Sequence, residues 1–296
     1  MRRWNGWGEE SISMPIPPAG LRILEDRIGP GRQIPDYPLE KLLAQIPPSR
    51  MPRHPIISTD PKLRLDHAHG QSLPDWIGLR YGTLAHFPDG VARPGTVDEV
   101  EEILKFAAGH EMVVIPYGGG TSVVGHLDVP HREGMVLSLS LERLNRLVSL
   151  DADNMLATFE AGVRGPQLEQ QLNARGFTLG HYPQSFEYST LGGWVVTRSS
   201  GQQSSHFGRI EQLFAGGEVV TPGGRLQLPP FPASAAGPDL RQILLGSEGR
   251  IGVLTGSPSG CPIFRPKTMF TDAFSPPGNK VKMPSEPSPA LLSRLR

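Results

Sequence analysis

The sequence predicts an α+β fold, in which short strands and amphipathic helices follow each other from about residue 87 to residue 255. Two observations predict this class. Apolar residues from Val100 to Ala108 recur at helical spacing behind Thr96-Val97-Asp98-Glu99, a sequence typical of a capping box. A short apolar strand then leads directly into three consecutive glycines. Gly and Pro are frequent throughout the chain, which indicates many turns between short elements.

Length and charge limit the function classes. The chain has 296 residues, enough for one large domain or two small ones. Its 29 basic and 29 acidic residues cancel, which argues against a nucleic-acid-binding surface or a strongly basic membrane surface. Cys261 is the single cysteine, so an intramolecular disulfide is impossible. The basic N-terminus lacks an apolar stretch, and no segment approaches the roughly 20 apolar residues of a membrane span, so we expect a soluble cytoplasmic protein.

The N-terminal segment, residues 1–85, is predicted to be an irregular arm that wraps a neighbouring core. Prolines interrupt it repeatedly, and short helices are expected only over residues 19–28 and 39–45. The regular domain is predicted over residues 86–255. Its first helix ends near Gly109, and a strand over residues 112–115 precedes the glycines.

The remaining elements follow in order. Strands are predicted over residues 135–139, 156–160, 213–220 and 251–255, helices over 165–175 and 238–245, and a tight turn over 221–224. Gly176 stands where a left-handed residue would end the first of these helices. Residues 256–296 are rich in Pro and Ser without sustained periodicity, and we expect a disordered tail there.

The loop Pro116–Ser122 is the first candidate site. Glycine tolerates positive φ and allows a ligand to approach the backbone, and successive amides can bind an anion together. The loop lacks the lysine of a Walker loop and the usual Rossmann spacing. A glycine-rich turn that only lets two strands pack is the alternative interpretation of the loop taken alone.

Three further segments occur in order after this loop. They are Gln184–Thr190 with the following Leu191–Gly201, then Phe207–Glu211, and finally Leu245–Thr255. Together with the glycine loop, these segments resemble the p-cresol methylhydroxylase-type FAD-binding domain of the vanillyl-alcohol oxidase family. The likeness is greatest to the alkyldihydroxyacetonephosphate synthase group and its bacterial members. The segment Arg3–Gly8 also resembles the beginning of these synthases. The resemblance runs from about Trp4 to Thr255 and implies a two-subdomain FAD-binding domain.

The resemblance also implies which positions contact FAD. The glycine loop would hold the pyrophosphate, and residues 184–190 would lie along the flavin and diphosphate. Residues 197–200 would continue that contact, and residues 248–254 would contact the adenosine side. These positions are Pro116, Tyr117, Gly118, Gly119, Gly120, Thr121, Ser122, Gln184, Ser185, Phe186, Glu187, Tyr188, Ser189, Thr190, Thr197, Arg198, Ser199, Ser200, Glu248, Gly249, Arg250, Ile251, Gly252, Val253 and Leu254. We predict that a bulky residue at Gly119 abolishes flavin retention by occupying the space of the pyrophosphate.

Several conspicuous residues have a structural interpretation instead. Trp194 and Phe186 are expected to be core aromatics, and His181 a structural histidine with satisfied hydrogen bonds. His67 and His69 lack the partners of a metal site, so none is predicted. Gly192-Gly193 is open to both interpretations, close helix packing or cofactor contact. His126 follows the loop and could approach a phosphate.

Three functions stay open at this point. The resemblance implies alkylglycerone-phosphate synthase chemistry of ether-lipid synthesis, in which a fatty alcohol replaces the acyl group of an acylated dihydroxyacetone phosphate. FAD-linked oxidation of a 2-hydroxy acid such as D-lactate or glycolate shares the same cofactor motifs. The synthase group carries its catalytic Tyr, His and Arg in a domain after the last motif, and no residue here matches them. A non-catalytic FAD-binding fragment is therefore the third possible function. The expected partners are a small-molecule or lipid substrate, without nucleic acid or a membrane span, and a homodimer is allowed.

Overall fold

A computed structural model describes residues 2–32, 34–231 and 236–256, together with the backbone of two short strands near the C-terminus. Within this part of the chain the helices are α1 (Pro18–Ile28), α2 (Leu39–Gln45), α3 (Pro61–Asp66), α4 (Leu73–Tyr81), α5 (Val97–Gly109), α6 (Gly165–Asn173), α7 (Leu191–Val196), α8 (Ser204–Phe207), α9 (Ile210–Leu213) and α10 (Arg241–Leu244). The strands are β1 (Ile57–Ser58), β2 (Gly90–Ala92), β3 (Val113–Tyr117), β4 (Val136–Ser140), β5 (Leu147–Asp151), β6 (Leu156–Phe159), β7 (Phe177–Thr178), β8 (Gly217–Thr221), β9 (Gly224–Leu228), β10 (Val253–Leu254), β11 (Cys261–Pro262) and β12 (Arg265–Pro266).

The strands form small sheets. The first has the order β1-β2-β4-β3, with β4 parallel to both β2 and β3 and β1 antiparallel at its edge. A second antiparallel sheet has the order β10-β8-β9, and a third the order β11-β6-β5. The α+β class predicted from the sequence is thereby confirmed.

The N-terminal segment contains more regular structure than the sequence predicts. The two expected helices correspond to α1 and α2, but α3, α4 and β1 were not predicted. Ser72 and Asp75 form the capping box of α4: the Ser72 hydroxyl accepts from the Asp75 amide, and the Asp75 carboxylate accepts from the Ser72 amide. Leu65 and Leu79, from α3 and α4, are fully buried, so this segment contributes to a hydrophobic core.

Helix α5 spans the predicted residues, but its N-terminus differs in detail from a capping box. The Thr96 hydroxyl accepts from the Glu99 amide at 3.1 Å, as expected. The Glu99 carboxylate accepts instead from the amide of Gly95, at 2.6 Å. Val100 and Ile103 are fully buried on the predicted apolar face of this helix.

Three predicted elements in the second half need correction. The strand over 213–220 begins four residues later, as β8, because α9 occupies residues 210–213. The helix over 238–245 is only the single turn of α10, and the strand over 251–255 is only β10. Strand β5 was not predicted. The turn over 221–224 is confirmed as the connection between β8 and β9, and Gly176 has the expected left-handed φ of +82°.

Buried apolar side chains form two clusters, which agrees with a two-subdomain organisation. The larger cluster combines α5, α6 and α7 with β6 and β8. The smaller combines α2, α3 and α4 with the end of β3 and includes Tyr117. The boundary predicted at residues 85 and 86 stays a prediction. Apart from Gly256, β11 and β12, the expected tail lies outside the described residues.

Candidate functional site

The glycine loop begins where β3 ends, at a buried tyrosine. The hydroxyl of Tyr117 donates to the backbone carbonyl of Asp66 at 2.8 Å, and the Leu141 amide donates to the Tyr117 carbonyl at 3.0 Å. Burial raises the pKa of Tyr117 to about 12, so the phenol keeps its proton at neutral pH. Tyr117 thereby fixes the start of the loop on both sides.

The next four residues offer their backbone to a ligand. Within the described part of the chain, the amides of Gly118, Gly119, Gly120 and Thr121 donate to no protein acceptor. Gly119 and Gly120 are buried, and Gly120 has a φ of +63°. Since buried backbone N–H groups are almost always paired, a run of free donors in a loop indicates an anion site.

Arg2 contacts the opposite side of the same loop. Its guanidinium donates to the carbonyl of Gly119 at 2.7 Å and to that of Gly120 at 3.3 Å. The C=O and N–H of a trans peptide point in opposite directions. Fixing these two carbonyls on one side therefore turns the amides of Gly120 and Thr121 to the other side. The Arg2 guanidinium also lies over the ring of Tyr188, 5.2 Å from its centroid.

The glycines are required for a different reason from the predicted one. A Cβ on Gly119 would lie 2.8 Å from the Cα of Ser189 and would collide with the Tyr188 carbonyl oxygen. A Cβ on Gly118 would collide with the hydroxyl of Thr190. A side chain at Gly119 would thus meet protein backbone, and the predicted collision with the pyrophosphate is corrected. The loop packs closely on residues 188–190.

The predicted segments meet at one cleft of about 320 Å³. The predicted residues that line it are Pro116, Tyr117, Gly118, Gly119, Gly120, Thr121, Ser122, Ser185, Ser189, Thr190, Thr197, Ser199, Glu248, Gly249, Gly252 and Leu254. The predicted residues outside the lining are Gln184, Phe186, Glu187, Tyr188, Arg198, Ser200, Arg250, Ile251 and Val253. Residues from the glycine loop, from 184–201 and from 245–255 therefore surround one space, although 131 positions separate Gly118 from Gly249. The segment Phe207–Glu211 does not line it.

The cleft is also lined by residues that were not assigned to it. They are Val123, Val124, His126, Leu127, Leu141, Gly192, Gly193, Trp194 and Val196. Most stand next to a predicted segment in the sequence, and extending each segment by a few residues would have included them. Leu141 follows β4, which is parallel to β3 and ends beside the glycine loop.

Helix α7 forms one wall of the cleft. The hydroxyl of Thr190 accepts from the Gly193 amide at 3.3 Å and begins the helix. A Cβ on Gly192 would lie 2.8 Å from the Cβ of Ala161, so the close-packing interpretation holds for Gly192. Trp194 is buried, as expected, and its indole donates to the Ser189 hydroxyl at 2.6 Å.

His181 lies behind the cleft. Its Nε2 is 2.7 Å from the hydroxyl of Ser199, which lines the cleft. Burial lowers the pKa of His181 to about 4, so the ring is neutral at physiological pH. Its Nδ1 is buried without a partner among the described residues, so the expectation of a fully satisfied histidine is wrong at this atom.

Glu248 and His126 face each other across the cleft. Glu248 has a φ of +53°, which is unusual for a residue other than glycine. Its Oε2 lies 2.9 Å from Nδ1 of His126, and the same Nδ1 lies 3.0 Å from the hydroxyl of Ser122. Burial lowers the pKa of His126, Glu248 opposes that shift, and Arg250 adds to it.

The described residues contain neither a cluster of potential metal ligands nor a helix that could span a membrane. No group of three or more His, Cys, Asp or Glu side chains there could hold a metal ion. His67 and His69 each use Nδ1 on a backbone carbonyl, of Leu63 and of Gly70. None of the helices that the structure describes is long and apolar enough to cross a membrane.

Comparison with known proteins agrees with these features. Residues 88–228 match the FAD binding domain family. The chain is 35% identical over 289 residues to an alkyldihydroxyacetonephosphate synthase of Dictyostelium discoideum, covering 86% of this chain and 47% of that protein. It is 42% identical over 200 residues to the synthase of Caenorhabditis elegans, covering 67% of this chain and 34% of that protein.

A solved structure is also similar. The structure titled alkyldihydroxyacetonephosphate synthase in P1 superposes with a TM-score of 0.74 at 31% identity, covering 86% of this chain and 53% of that one. The matched region thus spans between about a third and a half of these proteins' own lengths.

Proposed function

We propose, from the premise that this chain is an FAD-binding protein similar to the alkyldihydroxyacetonephosphate synthases, that the cleft described above holds the FAD. The observation that carries this proposal is the run of amides from Gly118 to Thr121, which have no acceptor among the described residues. Backbone N–H groups that converge on a concavity suit a diphosphate, since they supply donors without a side chain that would fill the space. The Ser122 hydroxyl adds a side-chain donor to the same loop.

The rest of the lining offers contacts for the other parts of a dinucleotide. Ser185, Ser189 and Thr190 would lie along the flavin and diphosphate, and Ser199 would continue that contact. The segment from Glu248 to Leu254 would contact the adenosine side. Most of these side chains are small, so a flat ligand can approach the backbone along the cleft.

We further propose that the chain serves alkylglycerone-phosphate synthase chemistry, in which a fatty alcohol replaces the acyl group of acylated dihydroxyacetone phosphate. The similarity to synthases over 86% of the chain supports this choice. When bound, FAD supplies the flavin ring at which this exchange takes place without net oxidation or reduction. The described residues of this chain bind and orient the cofactor and keep its diphosphate on the amides of the glycine loop.

Competition binding tests the cofactor site. The purified full chain should show the absorption bands of oxidised flavin, and ADP should displace FAD much better than adenosine does, because only ADP carries the diphosphate. Replacing Ser199 by Ala should weaken FAD about fivefold, the effect of one lost neutral hydrogen bond. Ser200→Ala is the matched control, since Ser200 is exposed and outside the lining. Equal competition by ADP and adenosine would contradict the assignment of the amides.

A second candidate is an FAD-holding chain without turnover of its own. Within the described residues, the titratable side chains of the lining are Tyr117, His126 and Glu248. The Tyr117 hydroxyl already donates to the backbone carbonyl of Asp66, so few groups in the cleft are free for catalysis. An alkyl-exchange assay with acylated dihydroxyacetone phosphate and a fatty alcohol separates the two candidates. Flavin bound without product would support the second, whereas bleaching by D-lactate or glycolate would support 2-hydroxy-acid oxidation instead. Cytoplasmic location and a homodimer stay predictions.

A further inference from the structure

The charges that face the cleft are unusual for a site that holds a diphosphate. Among the described residues of the lining there is no Lys or Arg, and Glu248 is the one carboxylate. A diphosphate carries two negative charges, and the Glu248 carboxylate would place a third negative charge in the same cleft. His126 is the single described side chain of the lining whose protonation would add a positive charge near neutral pH.

His126 is built into this position by contacts from two sides. Glu248 reaches it across the cleft at 2.9 Å, and Ser122 contacts the same Nδ1 at 3.0 Å from the glycine loop. A protonated Nδ1 can be shared by the two oxygens, which leaves the Ser122 hydroxyl hydrogen and the Nε2–H of the ring free to donate elsewhere. The imidazole side chain is about 12% exposed, so water screens it only partly.

We propose that His126 is a diphosphate-binding residue and that FAD binding takes up one proton from the solvent at its imidazole. The inference rests on the proposed function, because it requires the FAD diphosphate to occupy this cleft. Besides the diphosphate, the groups that act on the ring are Glu248, which favours the charged form, and Arg250 and burial, which oppose it. Burial, the largest of these effects, leaves the pKa of His126 lowered in the free chain, and added negative charge in the cleft then favours the imidazolium.

Proton uptake can be measured directly by calorimetry. FAD is titrated into flavin-free full-length chain at pH 7.5 in phosphate and in Tris, whose ionisation enthalpies differ, and the difference in binding enthalpy gives the protons exchanged. We expect uptake approaching one proton for FAD and none for riboflavin, which lacks the diphosphate. His126→Gln should abolish the uptake and weaken FAD about tenfold. His131→Gln is the matched control, because His131 is exposed, stacks on His86 and lies outside the lining.

A double substitution separates this role from a merely structural one. His126→Gln leaves the Glu248 carboxylate without its partner beside the diphosphate, so Glu248→Gln in that background should restore FAD affinity. A folding defect would not be repaired by this second change. FAD uptake without a proton in the wild-type chain, or uptake that survives in His126→Gln, would overturn the inference. Failure of the wild-type chain to bind FAD at all would instead overturn the proposed function, and this inference with it.

Discussion

Replacing Gly119 by Ala tests how the glycine loop is held. The added Cβ would lie 2.8 Å from the Cα of Ser189 and from the carbonyl carbon of Tyr188. Carbon atoms in ordinary contact are about 3.5–4.0 Å apart, so one backbone must move by about 1 Å. Overpacking of this kind typically costs about 1–3 kcal/mol. If the loop moves, its amides leave their positions, and we expect FAD to bind about ten- to a hundredfold more weakly.

Thermal unfolding of the flavin-free chain measures the expected loss of stability, and FAD titration by fluorescence quenching measures the expected loss of affinity. The collision is with protein backbone, so Gly119→Ala should lower the melting temperature even without FAD. Gly109→Ala is the matched control: its Cβ meets nothing within 4 Å at the end of α5. We expect that variant to keep FAD affinity and to gain up to about 1 kcal/mol of stability. A Gly119→Ala variant with unchanged melting temperature and weaker FAD binding would refute the packing argument and favour a collision with the ligand.

Three further substitutions have defined outcomes. Arg2→Ala should weaken FAD about tenfold in the same titration by releasing two loop carbonyls. Arg3→Ala should not, because among the described residues the Arg3 guanidinium bonds to carbonyls of its own segment, those of Glu9 and Ile12. Burial alone would raise the pKa of Asp89, but hydrogen bonds, chiefly from Arg50, outweigh burial and lower that pKa. The ionised Asp89 therefore stabilises the fold at neutral pH, and this stabilisation is lost as pH falls below about 4. Asp89→Asn should therefore lower the free energy of unfolding at pH 7 by about 1–3 kcal/mol and flatten its decline in acid, which urea unfolding at several pH values measures. Trp194→Phe should cost about 1–3 kcal/mol in the same urea assay, since it leaves the buried Ser189 hydroxyl without its indole donor.

The elements that the sequence predicts well are those specified by local chemistry. Thr96 caps α5 with its own side chain, and the turn between β8 and β9 contains Pro222 and Gly223. By contrast, α3 and α4 have six and nine residues, too few for a clear helical period. Local caps at Asp60 and Ser72 begin these helices, and distant contacts add to their stability, for example the buried guanidinium of Arg64 on the carbonyls of Pro47 and Pro88. No local pattern could indicate those partners.

The same distinction holds within the candidate site. The free backbone amides of the glycine loop could be predicted, because three consecutive glycines leave the backbone accessible, whereas anion binding by the loop stays a prediction. The partners of this loop could not. Arg2 lies 117 positions before Gly119, and Glu248 lies 122 positions after His126. The approach of His126 to a phosphate stays a prediction. Its pairing with Glu248 was not predicted, since it depends on the left-handed backbone of Glu248.

These long-range contacts change what counts as the cofactor-binding unit. The family match covers residues 88–228, but Arg2 orients the amides of the loop from outside that range, and Glu248 contributes to the opposite wall. Strand β10, which ends that wall, is held by β8 through the pairing of Val253 with Val220. If the loop binds the diphosphate with backbone donors as proposed, then, since no Lys or Arg lines the described cleft, small displacements of these supports should alter diphosphate binding without any change of charge. We therefore expect affinity for FAD to be a property of the whole described fold, from Arg2 to Leu254, with the geometry of the loop as its most sensitive part.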